Sequence, residues 1–178
     1  MEQNYVANLN RIAKYLRVSA GKIFVDKEKV ICRSLKDKKL AGYSTIVSAM
    51  ARESLSNQFS KSDLVTQCLI VQWFDYAVLF VTPAVNSNTS TELVLQELND
   101  YLLKRSYLVG QSLTLADIVV FYSFSDIMQT LSPAIKEKYL NVSRWYEHLQ
   151  KIDEIRQNIP IVNLSSIHLH SWATGTHL

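Results

Sequence analysis

One short segment constrains this chain more than any other. Thr114-Leu115-Ala116-Asp117 has the spacing of a helix-opening capping box, with Asp117 in place of the usual Glu. Leu113 and Ile118 flank it at the positions of a hydrophobic staple. The run that follows, Ile118-Val119-Val120-Phe121-Tyr122, is apolar on nearly every side. Such a helix must be central, wrapped by other helices. Its buried start needs the box, because unpaired N–H groups there are costly. Asp117 has no second acid or histidine nearby in sequence, so its role reads as structural rather than catalytic.

The rest of the chain agrees with a mainly helical fold. Only four Gly and three Pro occur in 178 residues, which disfavours a turn-rich all-β protein. Tyr5, Leu9, Ile12, Ala13 and Leu16 follow helical spacing and predict a first helix ending near Gly21. Lys22–Val25 and Val30–Leu35 read as a strand pair, with Lys36–Lys39 as a turn. Helical period returns at Tyr43, Ile46, Val47, Met50, Ala51 and Leu55. Ser62 is expected to N-cap a helix that Pro83 stops near Val81. Asn86–Ser90 reads as a loop, Thr91–Arg105 as a helix, Asn141 as the cap of another, and Asp153 as the start of a short last one. The fold class is therefore α+β and mainly α. A small α/β lobe spans 1–58, an all-helical lobe spans 59–160, and a tail over 161–178 is expected to be partly disordered.

Charge divides along the same line. Residues 1–62 carry twelve Lys/Arg and five Asp/Glu, whereas residues 63–178 carry seven and eleven. A basic half can face nucleic acid or an acidic protein surface, or can simply be solvated. No RNA-recognition motif accompanies it, so direct nucleic-acid binding is not expected, and a tRNA-binding accessory module stays an alternative. The N-terminus has no apolar signal region. Leu64–Val81 is broken by Gln67, Gln72 and Asp75, which reads as too polar for a membrane span, and no membrane association is expected. Cys32 and Cys68 lack metal spacing and read as inert buried thiols. His168, His170 and His177 lie in the tail without a preordered third ligand. No Gly-rich phosphate loop is present. No metal and no cofactor is assigned.

A small α/β lobe joined to a helical lobe with a buried Thr-x-x-Asp box resembles the glutathione-transferase fold, here with a reduced thioredoxin-like N-terminal lobe. Three segments narrow the resemblance: Val71–Tyr76, Tyr107–Ile118, and Lys136-Glu137-Lys138-Tyr139-Leu140-Asn141-Val142-Ser143-Arg144-Trp145. Together they are similar to the transferase-like, elongation factor one-epsilon subunits of the animal multi-aminoacyl-tRNA synthetase complex. That resemblance implies a non-catalytic scaffold supporting translation, cytosolic and under stress nuclear, with a part in DNA-damage signalling. It implies binding to the transferase-like domains of methionyl-tRNA synthetase and glutamyl-prolyl-tRNA synthetase, alongside other subunits of the complex. Arg144, in the Ser-Arg-Trp motif, matches the arginine of the second binding surface, with Trp145 expected inward. The first surface is expected on the helix at Tyr43–Leu55 and the start of the next long helix, through Tyr43, Ile46, Met50, Leu64, Val65, Leu69 and Trp73. Leu64, Val65, Leu69, Trp73 and Phe80 exceed what one core-facing stripe requires.

Transferase chemistry needs a Tyr, Ser or Cys after the first strand and a cis-proline before the third. Here the first proline is Pro83, beyond the α/β lobe. Ser44 matches the serine that holds the γ-glutamyl end, but its acidic partner is absent. Tyr5 and Tyr15 fall on a helix. No catalytic residue is assigned, and a glutathione-dependent transferase is the alternative function.

Overall fold

The computed structural model describes residues 2–36, 38–55 and 58–164. Helix α1 (Glu2–Leu16) buries Leu9, Ile12, Ala13 and Leu16. It stops at Arg17, which adopts a left-handed φ of 56°, while Val18 N–H returns to Ala13 O at 3.0 Å. The stop therefore comes four residues before Gly21. Gly21 serves another purpose: a Cβ there would lie 2.6 Å from Ser34 O, so only glycine lets the chain pass this close to the sheet.

Three strands follow, β1 (Lys22–Val25), β2 (Ile31–Leu35) and β3 (Lys38–Ala41), in an antiparallel meander of order β1-β2-β3. The third strand replaces part of the expected Lys36–Lys39 turn. Its residues are mostly exposed and it lies at the sheet edge, so it lacks the apolar alternation that marks a half-buried strand. Lysines on such an edge oppose strand-to-strand aggregation. Arg33, 1% exposed, clamps the lobe from β2. Its guanidinium donates to Glu53 Oε1 and Oε2 at 2.8 and 2.7 Å, and to Ala20 O and Ser19 O at 3.0 and 2.6 Å.

Helix α2 (Tyr43–Glu53) and a short α3 (Gln58–Lys61) lead to α4 (Leu64–Ala84). Asp63, not Ser62, caps α4: its carboxylate accepts from Thr66 N–H at 2.9 Å and Thr66 Oγ1 at 2.7 Å. Ser62 instead donates to Phe59 O. Pro83 does not stop α4 at Val81. The turn Ala77–Val81 widens to π-helical geometry, and the helix runs through Pro83 to Ala84. Proline has no N–H and its ring crowds the carbonyl one turn back, so a wider turn relieves both conflicts. Thr82 Oγ1 closes onto Ala77 O at 2.9 Å. By length and mean hydropathy α4 is apolar enough to cross a bilayer, contrary to the sequence expectation, and only 22% of its most apolar stretch is buried.

Ser87 caps α5 (Asn88–Tyr101), so most of the expected 86–90 loop is helical, and a 3₁₀ turn (Leu102–Lys104) ends it. Helix α6 (Leu115–Thr130) is the central element, buried on every residue from Leu115 to Ser125. Helices α7 (Pro133–Lys138), α8 (Leu140–Gln150) and α9 (Asp153–Arg156) complete the bundle. Asn141 lies inside α8 rather than capping it; its backbone N–H donates to Asn99 Oδ1 at 3.0 Å and its Nδ2 to Asn99 O at 3.1 Å, pinning α8 to the end of α5.

One continuous core joins the α/β segment to the bundle. Trp145, Tyr122, Phe74, Phe121 and Phe124 are almost fully enclosed, each contributing roughly 1.5–3 kcal/mol on burial. Gln157 Nε2 donates to Arg11 O and Tyr122 Oη, both at 2.9 Å, tying α1 to the C-terminal side of the bundle. Gln150 exchanges two 2.9 Å bonds with the backbone of Val162 and so fixes the segment after Pro160. His168, His170 and His177 and most of the tail lie outside the described residues.

Candidate interaction surfaces

The site geometry starts from Asp117, which is 0% exposed. The capping box with Thr114 is closed. Oδ2 accepts from Thr114 N–H at 3.0 Å and Thr114 Oγ1 at 3.1 Å. Oδ1 accepts from Leu108 N–H at 2.9 Å and from the indole Nε1–H of Trp145 at 3.0 Å. Burial pushes the carboxyl above the usual carboxylate range, against the pull of those donors. Leu113 packs half-buried beside the enclosed Ile118 in the same cleft wall.

Each residue of the Ser-Arg-Trp motif thereby acquires its own contact. Ser143 Oγ donates to Lys136 O at 2.7 Å, holding α7 against α8. Trp145 points inward to Asp117. Arg144 is exposed, and its Nη2 donates to Leu102 O at 3.0 Å and Arg105 O at 2.9 Å. The guanidinium thus adds a second donor to the Leu102 carbonyl, which also accepts the Arg105 N–H at 3.2 Å, donates to the Arg105 carbonyl, and is held in one place at the surface. Leu140, 67% exposed, precedes it by one turn of α8, and Leu103, 62% exposed, sits on the turn it caps. Tyr107 Oη and His148 Nε2, 3.1 Å apart, continue this face.

The other expected surface is only partly as the sequence suggested. Leu64 is 78%, Val65 70% and Leu69 44% exposed at the start of α4. Trp73 is half-buried, its ring between Tyr76 and Tyr101 at centroid distances of 5.2 and 4.9 Å. Tyr43, Ile46 and Met50, however, are buried inside this chain and offer nothing to a partner. Their stripe of α2 faces α1, the sheet and α4, so the apolar period there reports the chain's own core. Cys68 is exposed on α4 rather than buried, while Cys32 is enclosed and donates Sγ–H to Asp26 Oδ2 at 3.6 Å. Burial pushes the Cys32 thiol up.

The groups considered for glutathione chemistry are scattered. Ser44 Oγ donates to Asp75 Oδ1. Tyr5 Oη donates to Val78 O at 3.2 Å, and its ring meets Tyr43 edge-on. Burial raises the pKa of Tyr5 and of Tyr15, the opposite of an activated hydroxyl. A cleft of about 1320 Å³ between the ends of α1 and α2 and the start of α6 is lined by Tyr15 but by none of Tyr5, Ser44 or Cys32. Among the described residues no group of His, Cys, Asp and Glu is placed to hold a metal ion.

Comparison with known proteins fits this geometry. Residues 66–153 match a family model described as nuclear-export cofactor Arc1p, N-terminal-like. Eukaryotic translation elongation factor 1 epsilon-1 of Cricetulus griseus is 35% identical over 123 residues, covering 69% of this chain and 70% of that protein. The Homo sapiens protein of the same name is 30% identical over 159 residues, covering 88% and 91%. The chain belongs to the elongation factor 1 epsilon-1 family. Its fold is also that of the transferase-like domain of elongation factor 1-gamma from Saccharomyces cerevisiae, with a TM-score of 0.68 at 11% identity over 93% of each chain. This member of the epsilon-1 family is therefore a transferase-like protein of a translation-factor lineage. The family-model match begins inside α4 at Thr66 and runs through α8, so it takes in Leu69 and the Arg144 face but not Leu64 or Val65.

Proposed function

We propose that this epsilon-1 family member is a non-catalytic scaffold of the multi-aminoacyl-tRNA synthetase complex, cytosolic and under stress nuclear. The bare apolar start of α4 receives the transferase-like domain of methionyl-tRNA synthetase. The Arg144 face, flanked by Leu140 and Leu103, receives that of glutamyl-prolyl-tRNA synthetase. The observation that carries this reading is the exposure of Leu64, Val65 and Leu69 on a chain whose core is otherwise filled. Large bare aliphatic side chains grouped on one rigid helix mark an interaction site. A guanidinium already immobilised by two carbonyls loses little freedom on stacking or pairing with a partner.

Sedimentation of purified mixtures tests the assignment. Val65→Glu is expected to abolish co-sedimentation with methionyl-tRNA synthetase and to spare glutamyl-prolyl-tRNA synthetase; Arg144→Ala is expected to do the reverse. A wild-type chain that stays monomeric with both synthetases present refutes the scaffold reading. Retention on immobilised glutathione with conjugating activity would replace it by an enzyme.

A further inference from the structure

The far half of α4 and the adjoining face of α5 form a second apolar surface, distinct from the Leu64–Leu69 end. Val65 and Phe80 are fifteen residues apart, about 22 Å along a helix. Leu79 is 64%, Phe80 56% and Leu93 60% exposed. Tyr76 fixes how the two antiparallel helices meet, donating its hydroxyl to Glu97 Oε2 at 3.0 Å. Phe80 lies one turn beyond Tyr76, and Leu93 one turn before Glu97, which brings the two side by side. The Phe80 ring lies 5.5 Å from that of Tyr76, which in turn contacts Trp73. The patch thus sits on a stiff aromatic base.

Its electrostatics are predominantly acidic, with Lys138, paired to Glu92, and Arg105, over the Tyr101 ring at 4.3 Å, as the neighbouring cations. From Lys61 to Lys104 the sequence carries five carboxylates and no Lys, Arg or His between them. Asp75, Glu97 and Asp100 form no ion pair among the described residues; only Glu92 does, with Lys138. Anionic lipid and nucleic acid are repelled by such a rim, whereas a cationic protein surface is attracted.

We propose that this face binds a cationic amphipathic helix, laid along α4 and α5 with its apolar side on Phe80 and Leu93 and its Lys/Arg side chains on Asp75, Glu97 and Asp100. This is the helix-in-groove mode of recognition. It does not depend on the identity of the synthetase partners, because the start of α4 and Arg144 lie outside it.

The test uses the full ¹⁵N-labelled chain and a synthetic helical peptide built of Leu and Lys. Its Glu-for-Lys counterpart and phosphatidylserine vesicles serve as parallel probes. The Lys peptide is expected to shift amides of α4 and α5 around Phe80 and Leu93, with affinity falling as salt rises. Phe80→Ala and Glu97→Lys are each expected to weaken it about tenfold or more. Because Glu97 also holds Tyr76, Asp100→Lys is the second charge variant; among the described residues Asp100 bonds only to Gln96 of its own helix. The proposal is overturned if the Glu peptide binds equally well, if the shifts fall elsewhere, if both charge variants bind like wild type, or if the vesicles rather than the peptide occupy the strip.

Discussion

Asp117→Ala offers the sharpest test of how this fold is held together. The substitution removes the acceptor for three N–H groups, on Leu108, Thr114 and Trp145, and for the Thr114 hydroxyl. The hydroxyl can rotate to another partner. The Trp145 indole and the Leu108 amide are buried and cannot reach water. An unsatisfied buried donor costs roughly 1–3 kcal/mol, so these two imply a loss of about 2–6 kcal/mol. For a domain of this size each kcal/mol lowers Tm by about 2–4 °C, giving a fall of roughly 4–24 °C by differential scanning calorimetry. Asp117→Asn separates acceptor from charge. Its Oδ1 keeps Leu108 and Trp145 satisfied, while its NH₂ meets the Thr114 N–H. Because burial already disfavours the ionised carboxyl, losing the charge costs little, and Asn should recover more than half of the Ala loss. Trp145→Phe should cost less in the Asp117→Ala background than in wild type, since one orphaned donor disappears. A loss below about 1 kcal/mol for Asp117→Ala, or equal losses for Ala and Asn, would refute this account of the box.

Other outcomes follow from single contacts. Val65→Glu, on an exposed site, should leave Tm within about 2 °C of wild type while removing the partner, as calorimetry beside sedimentation will show. Arg144→Ala should lose partner binding and also about 1 kcal/mol of stability in urea unfolding, because Leu102 and Arg105 carbonyls lose a charged donor. Arg33 holds the Glu53 carboxyl below the usual carboxylate range. The stabilisation this gives is therefore present at neutral pH and lost as pH falls through the folded pKa, so the gap in urea midpoint between wild type and Glu53→Gln should close on acidification. Tyr146 Oη is buried with no hydrogen-bond partner among the described residues; Tyr146→Phe should leave the thermal midpoint unchanged or raise it, since its ring contact with Phe121 at 4.6 Å is kept.

What was legible in the sequence depended on whether a signal had one cause. The capping box did: its residues answer a local need of the backbone, and their spacing is set by helix geometry alone. Trp145 was placed inward correctly because an indole beside an arginine on one helix has only one apolar side to choose. β3 was missed because an exposed edge strand with two lysines looks like a turn. The cap of α4 was misplaced by one residue because Ser62 and Asp63 are both good caps; the choice fell to Asp63, which engages both donors of Thr66, while Ser62 was drawn to Phe59 O. The first surface departs furthest from its sequence expectation. Apolar period on α2 and on α4 looks alike on paper, yet Tyr43, Ile46 and Met50 face inward and Leu64, Val65 and Leu69 face out. Periodicity reports that a face is apolar, not whether this chain or another covers it.

The same ambiguity decides how α4 should be understood. Its length and hydropathy suit a bilayer, but four of its side chains, Ile70, Phe74, Ala77 and Val81, are seated in the core against α6 and its neighbours. A spanning role would require pulling α4 out of this core and leaving the apolar faces of α2 and α6 that it covers without a partner. The polar residues Gln72 and Asp75 divide the remaining outward face rather than interrupting a span. On one side of them lie Leu64, Val65 and Leu69; on the other, Leu79 and Phe80. One long helix, kept intact past Pro83 by its π-helical turn, thereby presents two separate apolar patches at fixed spacing. If both patches dock partners, as proposed, their fixed separation sets which partners can bind at once.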